Sequence, residues 1–416
     1  MTPRIIILTQ WFDPEPTFKG IVFARELVRK GFDVEVITGF PNYPGGKLYP
    51  GYRVKPFQRE IIDGVTVTRL PLYPDHSQST YRRILNYASF AASSLIYGLF
   101  FAKRADVIYA YHPPLTVGVV AALLRLLRRM PVVYDIQDMW PDTLKATGML
   151  NNERLLKLIG WLCRWVYRRV DHIAVLSPGF KRLLIERGVS EDKIDVIYNW
   201  ADEQSLAQPT GILPPGFPGP ENFRVLFAGN MGRAQALGTV LEAAQVLERL
   251  HKKISFVLVG GGIEVSNLQR QAADMRLSNV YFFPPVPMNE IGTLLSSADL
   301  LLVHLRKDPL FQITIPSKTQ AYMAVGKPIL MGVDGDAAEL VATAKAGLTF
   351  SSENADQLAQ QVIILSEQTK ESISSLGTNA RAFYVENLSI NKGVERFATI
   401  FSLLAEKSAQ RRNSKL

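Results

Sequence analysis

One cysteine, Cys163, stands among 416 residues. An intrachain disulfide is excluded, and the composition fits a reducing cytoplasm. Histidine is scarce as well: five copies lie scattered without metal-ligand spacing, which argues against structural zinc. The chain contains no Walker loop, no G-x-S-x-G, no H-E-x-x-H and no G-x-G-x-x-G. Hydrolase triads and the dinucleotide fingerprint therefore have no footing. The opening Met1-Thr-Pro-Arg4 runs straight into the apolar residues 5–8 and lacks the layout of a signal peptide.

Acidic excess is missing too, since the formal net charge is +9. All of it sits early: residues 1–200 hold 27 Lys+Arg against 18 Asp+Glu, and residues 201–416 hold 20 against 20. A basic half points to nucleic acid, an anionic membrane or acidic substrates. No Cys/His finger, aromatic RNA-binding signature or basic amphipathic arm accompanies the charge, so a membrane surface is the preferred partner. One long apolar run exists, residues 84–102, bracketed by Arg82-Arg83 and Lys103-Arg104. Asn86, Ser89, Ser93 and Ser94 interrupt it. A spanning helix needs about twenty apolar residues. Two readings stand: a helix packed on a sheet, or one lying in the membrane interface.

What is present is an alternation of strands and helices. Apolar stretches at 5–8, 34–38, 106–111, 132–135, 172–176 and 194–197 read as buried strands separated by helical patterns at 21–30 and 115–127. Residues 60–62 and 65–70, joined by Asp63-Gly64, read as a hairpin with a type I′ turn. Pro and Gly dominate residues 208–220, which read as a linker. The alternation restarts with strands at 224–228, 254–259, 280–283, 299–305 and 329–333. A final helix is expected over 390–406, followed by a frayed basic tail at 407–416. The fold class is α/β, with two doubly wound Rossmann-like domains and a cleft at the carboxyl ends of their strands. The expected division is 1–205, a linker 206–222, a second domain 223–385, and a C-terminal helix 386–416.

The stretch Gln312-Ile-Thr-Ile-Pro-Ser-Lys-Thr-Gln-Ala-Tyr-Met-Ala-Val-Gly-Lys-Pro328 organises the second half. Pro316 and Ser317 open a helix just after a buried strand, with Ser317 placed to cap it, and Gly326 closes it. A helix start at a strand's carboxyl end is an anion site. Lys318 adds a full positive charge where a helix disfavours one, a local conflict that a bound phosphate resolves. The alternative is an ordinary strand–helix junction with a solvated lysine.

Phe227-Ala-Gly-Asn-Met-Gly232 is a strand running into a glycine turn whose N–H groups can form an anion nest; a plain tight turn is the alternative. Arg233 follows and reaches either a diphosphate or solvent. Gly260-Gly-Gly262 is a second loop of this kind. Asp334-Gly-Asp336 matches a D-x-D metal-chelating pattern, but Asp336 reads better as a helix cap. Glu339 lies in the first turn of that helix, placed for hydroxyl groups. In the first half, Asp135-Ile-Gln-Asp-Met-Trp-Pro-Asp142 gathers three carboxylates, Gln137 and Trp140 at a strand end. Carboxylates orient sugar hydroxyls or take a proton, and Trp stacks on sugar faces; a capped loop with a buried Trp is the alternative. His112, also at a strand end, is a proton-handling or a structural residue.

With these residues in view, the chain resembles the GT-B glycosyltransferases of family 4 over nearly its whole length. The resemblance rests on Lys19-Gly20, Gly31-Phe-Asp-Val-Glu-Val36, residues 135–142, 227–232, Ser297-Ala-Asp299 and residues 316–328. Pro41-Asn-Tyr-Pro44, Asp138-Met-Trp-Pro141, Gly229-Asn-Met-Gly232 and Ile315-Pro-Ser-Lys-Thr-Gln-Ala-Tyr-Met323 look closest to bacterial O-antigen and capsule transferases of the L-fucosamine type.

The resemblance implies a nucleotide-sugar donor, UDP-linked by analogy, bound by Gly20, Gly229, Asn230, Gly232, Gln235, Gly261, Val286, Pro316, Ser317, Thr319, Gln320 and Glu339. It implies a polyprenyl-diphosphate-linked saccharide acceptor near Asp135, Gln137, Trp140 and Asp142. Lys318, Arg233, Asp138 and His112 are the expected catalytic residues, without metal or other cofactor. Transfer is expected with retention, the leaving diphosphate taking the acceptor's proton while Lys318, Arg233 and two helix starts stabilise its charge. Domain closure is expected to exclude water. The setting would be the cytoplasmic face of an inner membrane. Five positions depart from the family pattern. Its paired glutamates fall at Ile313 and Ala321, its phosphate-binding Arg and Lys at Asn230 and Gln235, and its loop His at Gln137. Two rivals remain: a nucleotide-sugar 2-epimerase of the same fold, and a catalytically silent partner protein.

Overall fold

The computed structural model describes residues 2–75, 79–206, 211–250 and 252–413. The chain divides into two compact units, Met1–Ile197 with Gly393–Leu416, and Tyr198–Lys392.

The first unit is built on β1 (Arg4–Leu8), β2 (Asp33–Gly39), β3 (Gln58–Ile62), β4 (Val65–Leu70), β5 (Val107–Tyr111), β6 (Val132–Ile136), β7 (His172–Val175) and β8 (Ile194–Val196). Their order in the sheet is β3-β4-β2-β1-β5-β6-β7-β8. The pair β3–β4 is antiparallel and the other pairings are parallel. β1, β5 and β6 are buried almost throughout because helices cover both faces, so they read as continuous apolar runs. Asp63 and Gly64 both have positive φ, 50° and 82°, as a type I′ turn demands.

The helices are α1 (Ile21–Arg29), α2 (Thr80–Phe100), α3 (Leu115–Arg128), α4 (Asp142–Ala146), α5 (Glu153–Arg169) and α6 (Pro178–Glu186). α2 turns Asn86, Phe90, Ser94 and Tyr97 inward, at helical spacing. Asn86 accepts a bond from Gln10 at 2.6 Å and donates to Tyr73 O at 2.7 Å. The helix therefore packs on the sheet, and its other side leaves Ile84, Ile96 and Phe100 exposed. Among the described residues no helix is long and apolar enough to cross a membrane.

The second unit contains α7 (Glu203–Leu206), β9 (Phe223–Ala228), α8 (Gly238–Arg249), β10 (Ile254–Val259), α9 (Val265–Asp274), β11 (Val280–Phe283), α10 (Met288–Ser297) and β12 (Leu300–His304). α11 (Pro309–Gln312), α12 (Ser317–Val325), β13 (Ile329–Gly332), α13 (Asp336–Thr343), β14 (Gly347–Thr349), α14 (Ala355–Ser366) and α15 (Lys370–Phe383) follow. The sheet order is β11-β10-β9-β12-β13-β14, and every pairing is parallel. The chain winds outward from β9 to β11, then returns to β12 and winds the other way. Ligands bind where such winding reverses, outside the carboxyl ends of the strands. Here that point is the end of β9 and β12. In the first unit it is the end of β1 and β5.

The division differs from the sequence reading. Residues 198–206 belong to the second unit, because Tyr384 binds them: its hydroxyl accepts from Ala201 N at 3.1 Å and donates to Glu203 at 2.8 Å. The expected linker is part of that unit as well, apart from residues 207–210, which lie outside the described residues. Pro and Gly forbid helix and strand there but not packing. Phe217 lies 5.7 Å from the ring of Phe283, and Gly211 N donates to Thr293 Oγ1 at 2.9 Å. The last helix, α16 (Ile390–Asn413), runs past the expected stop at 406. Phe397 on it lies 5.4 Å from Phe23 and 5.2 Å from Tyr109.

Candidate functional site

In the second unit the turn after β9 lies against the turn after β10. Gly229 N donates to Val259 O and Met231 N to Gly261 O. The fit needs glycine. A Cβ on Gly260, whose φ is +143°, would sit 2.0 Å from Gly229 O, and one on Gly262 would sit 2.3 Å from Met231 O. Gln235 Oε1 accepts from Gly232 N at 3.0 Å, and Gln235 O meets His304 Nδ1 at 2.7 Å. The other ring nitrogen of His304, Nε2, accepts from Glu353 N at 3.1 Å. A carbonyl only accepts and an amide N–H only donates, so His304 is fixed as the neutral Nδ1–H tautomer. Burial also lowers its pKa.

Lys318 points into this framework. Its Nζ lies 3.4 Å from the centroid of Phe227 and 3.2 Å from where a Cβ on Gly229 would be. It is buried and has no hydrogen-bond partner among the described residues. Burial alone pushes its pKa down from 10.5 to about 7. The Thr319 hydroxyl next to it is also buried without a partner. Tyr322, one turn on, fixes α12 to β9 by accepting from Ala228 N at 2.9 Å. An ammonium without a counter-charge, at the positive end of a helix, is a site prepared for an anion.

The remaining donor-side expectations fare unevenly. Pro316, not Ser317, holds the cap position of α12, and no side chain caps the helix. The Gln320 amide, oriented to satisfy its bonds, donates to Pro316 O and Ser317 O. It braces the first turn from inside. Gln235 is likewise spent on its own loop. Arg233 is turned to solvent, its side chain 82% exposed and 3.5 Å from Glu264. The short turn does not carry it inward. Asn230 flanks the same turn, and Gly261 lies against Pro285. Val286 packs against the core edge. Asp336 is buried in the first turn of α13, and Glu339 is exposed there. Among the described residues no group of three or more His, Cys, Asp or Glu is placed to hold a metal.

In the first unit, Gly20 caps α1, but that helix start already has its acid: Asp13 accepts from Ile21 N at 2.7 Å. A Cβ on Gly20 would sit 2.1 Å from that carboxylate. Asp135 is buried and accepts from Tyr109 OH at 2.5 Å and Gln137 Nε2 at 2.8 Å. Lys19, buried beside it, holds its pKa at about 8 against desolvation with help from the Asp135 charge. Asp142 takes Arg187 at 2.5 Å. Asp135 and Gln137 thus serve the fold, whereas Asp142, tied to Arg187, keeps 40% of its side chain exposed.

His112, Asp138 and Trp140 are different. His112 Nδ1 is buried with no partner among the described residues, and burial drives its pKa down to about 3, so the ring is neutral at any physiological pH. Its ring stands edge-on to Trp140 at 5.4 Å. Burial raises the Asp138 carboxyl above the usual range, as a proton acceptor requires. Sequence reading missed Glu15, whose buried carboxylate accepts from Phe12 N, Asn42 N and Tyr43 N and so fastens two loops. An acid between two prolines was the only signal.

Comparison with known proteins gives two family models, one in each half of the chain. The family model described as Glycosyl transferase 4-like domain matches residues 22–200, and that described as Glycosyl transferases group 1 matches residues 216–383. The Escherichia coli (strain K12) protein WcaI, named for glycosyl transfer in colanic acid biosynthesis, is 29% identical over 343 residues, covering 78% of this chain and 81% of its own. WbjE of Pseudomonas aeruginosa, named a glycosyltransferase, is 26% identical over 313 residues, covering 74% of this chain and 77% of its own. The crystal structure of Anabaena HepE in complex with UDP-glucose matches with a TM-score of 0.65 at 17% identity, covering 96% of this chain and 99% of that one.

Proposed function

This chain belongs to the GT-B glycosyltransferases, and we propose that it moves a sugar, with retention, from a nucleoside diphosphate carrier to a saccharide on a polyprenyl diphosphate. The observation that carries this reading is Lys318: a buried, unpartnered cation at the start of α12, against the glycine turn after β9. A diphosphate supplies the missing counter-charge, and the charge that builds up as the sugar leaves is stabilised most by a cation already in place. UDP is the first candidate, because HepE, of similar fold, was crystallised with UDP-glucose. An N-acetylated deoxyhexosamine such as L-fucosamine is the proposed sugar.

With Asp13 on α1 and Arg233 in solvent, Lys318 and the α12 start bear most of the electrostatic work, without a metal. In the first unit Asp138, with its raised pKa, and neutral His112 orient the acceptor hydroxyl, and Trp140 offers a ring face to a sugar. The exposed apolar residues of α2 and its basic flanks support a peripheral place on an anionic cytoplasmic membrane face. Ile313 and Ala321, where the family has acids, favour one second reading, a silent nucleotide-binding partner.

A thermal-shift panel of UDP, GDP, ADP and TDP on wild type and Lys318→Ala tests the donor site. One nucleotide should stabilise the wild type selectively and the variant not at all. Absence of any shift in the wild type overturns the reading. A shift without transfer to any lipid-linked acceptor moves the silent partner to first place.

A further inference from the structure

A cavity of about 340 Å³ opens in the first unit among α4, α5 and α6. One stripe of α5 lines it, with Glu153, Lys157, Gly160 and Arg164 following each other at helical spacing. Lys145 and Arg187 enter from α4 and from the residue after α6. The carboxylates present are already taken: Glu153 lies 3.0 Å from Lys145, and Asp142 lies 2.5 Å from Arg187. Lys157 and Arg164 form no ion pair among the described residues, so the wall keeps two uncompensated positive charges. On the same helix Trp161, 56% exposed, lies just round from Lys157, and Leu158, 57% exposed, lies further round. Arg154 and Arg168 on that side of the helix are exposed as well.

We propose that this cavity binds the diphosphate of an amphiphilic, prenyl-type diphosphate ester, whose hydrocarbon chain lies along the Leu158–Trp161 side of α5. Two unpaired cations match the two phosphates, and the adjacent exposed apolar surface matches the tail. A nucleotide lacks such a tail, and a lipid monophosphate leaves one cation unmatched. The assignment rests on the glycosyltransferase reading and gives its acceptor an anchor separate from the donor site.

The test compares wild type with Lys157→Ala/Arg164→Ala in binding to phosphatidylcholine vesicles. One set carries undecaprenyl diphosphate and the other phosphatidylglycerol at equal surface charge. Both altered side chains are exposed, and the UDP thermal shift reports that the rest of the protein, donor site included, is unharmed. The wild type should prefer the diphosphate vesicles about tenfold or more, inorganic pyrophosphate should compete, and the double variant should lose the preference while keeping the UDP shift. Equal binding to both vesicle types overturns the proposal in favour of a general anionic surface. Stabilisation by pyrophosphate without vesicle preference overturns it in favour of a soluble diphosphate. A preference that survives in the variant overturns the site. In each of these cases a retained UDP shift leaves the glycosyltransferase reading standing.

Discussion

Lys19 in the first unit and Lys318 in the second are both buried cations near an aromatic ring, 5.7 Å from Phe397 and 3.4 Å from Phe227. Desolvation depresses both, to about 8 and about 7. The difference is the counter-charge. Asp135 faces Lys19, and nothing among the described residues answers Lys318. The two histidines invert the pattern. His304 in the second unit has both ring nitrogens bonded, whereas His112 in the first has a bare Nδ1. Among the described residues each unit thus holds a buried titratable side chain that is answered and one that is not. Because an unmet buried group costs stability, the open ones mark where a ligand belongs.

The largest effect should come from making Lys318 apolar. Lys318→Met should lower transfer by about a hundredfold or more, the scale of losing one preorganised charge at a developing anion. It should also raise the melting temperature of the free protein by several degrees, since the buried ammonium costs on the order of a few kcal/mol. The sign follows from linkage. The folded pKa lies below the unfolded 10.5, so the unfolded chain holds more protons between about 7 and 10.5, and stability rises with pH across that window. The variant should lose this slope. Kinetics and thermal unfolding at several pH values decide; a variant that is inactive and less stable would make Lys318 a second Lys19.

Lys19→Met should behave oppositely. It strands Asp135 in the interior and should cost roughly 3–5 kcal/mol. The UDP shift should survive. The loss should shrink at acid pH, where Asp135, whose pKa burial raises, is protonated and no longer needs a partner. Chemical denaturation at two pH values measures both points.

These contrasts also show what the sequence could reveal. The alternation of apolar runs and helices made the two sheets legible, because parallel strands buried on both faces have no other pattern. Lys318 was legible because a cation in a first helical turn contradicts the helix dipole locally. The roles of Asp135, Gln137 and Asp142 were not. Their partners Tyr109, Lys19 and Arg187 arrive from other elements, and no local rule says whether a strand-end carboxylate meets solvent or a buried hydroxyl. The surroundings of Arg233 were illegible for the same reason, since Glu264 enters from beyond the next strand.

A smaller effect concerns protons. If Lys318 is neutral in about half the molecules near pH 7, binding a diphosphate must restore its proton. Nucleotide affinity should then fall about tenfold per pH unit above 7 and level off below it. Calorimetry in buffers of different ionisation enthalpy should show close to one proton taken up at pH 8.5 and far less at pH 6. Lys318→Met should show none. Binding without proton uptake would mean that the ammonium stays charged in the free protein, and the contrast with Lys19 would vanish.

The smallest expected change is at Thr319, whose hydroxyl is buried beside Lys318 with no partner. Thr319→Val keeps the shape and removes only the polar group. If the hydroxyl is simply unsatisfied, the free protein should gain up to about 1–3 kcal/mol, the cost of leaving such a group unmet. If it also meets the donor, UDP affinity should fall several-fold in the same variant. A gain in stability together with a loss of affinity would extend the open site from the lysine to its neighbour, whereas a gain with unchanged affinity would confine it to Lys318. A loss of stability would show that the hydroxyl has a partner in solution.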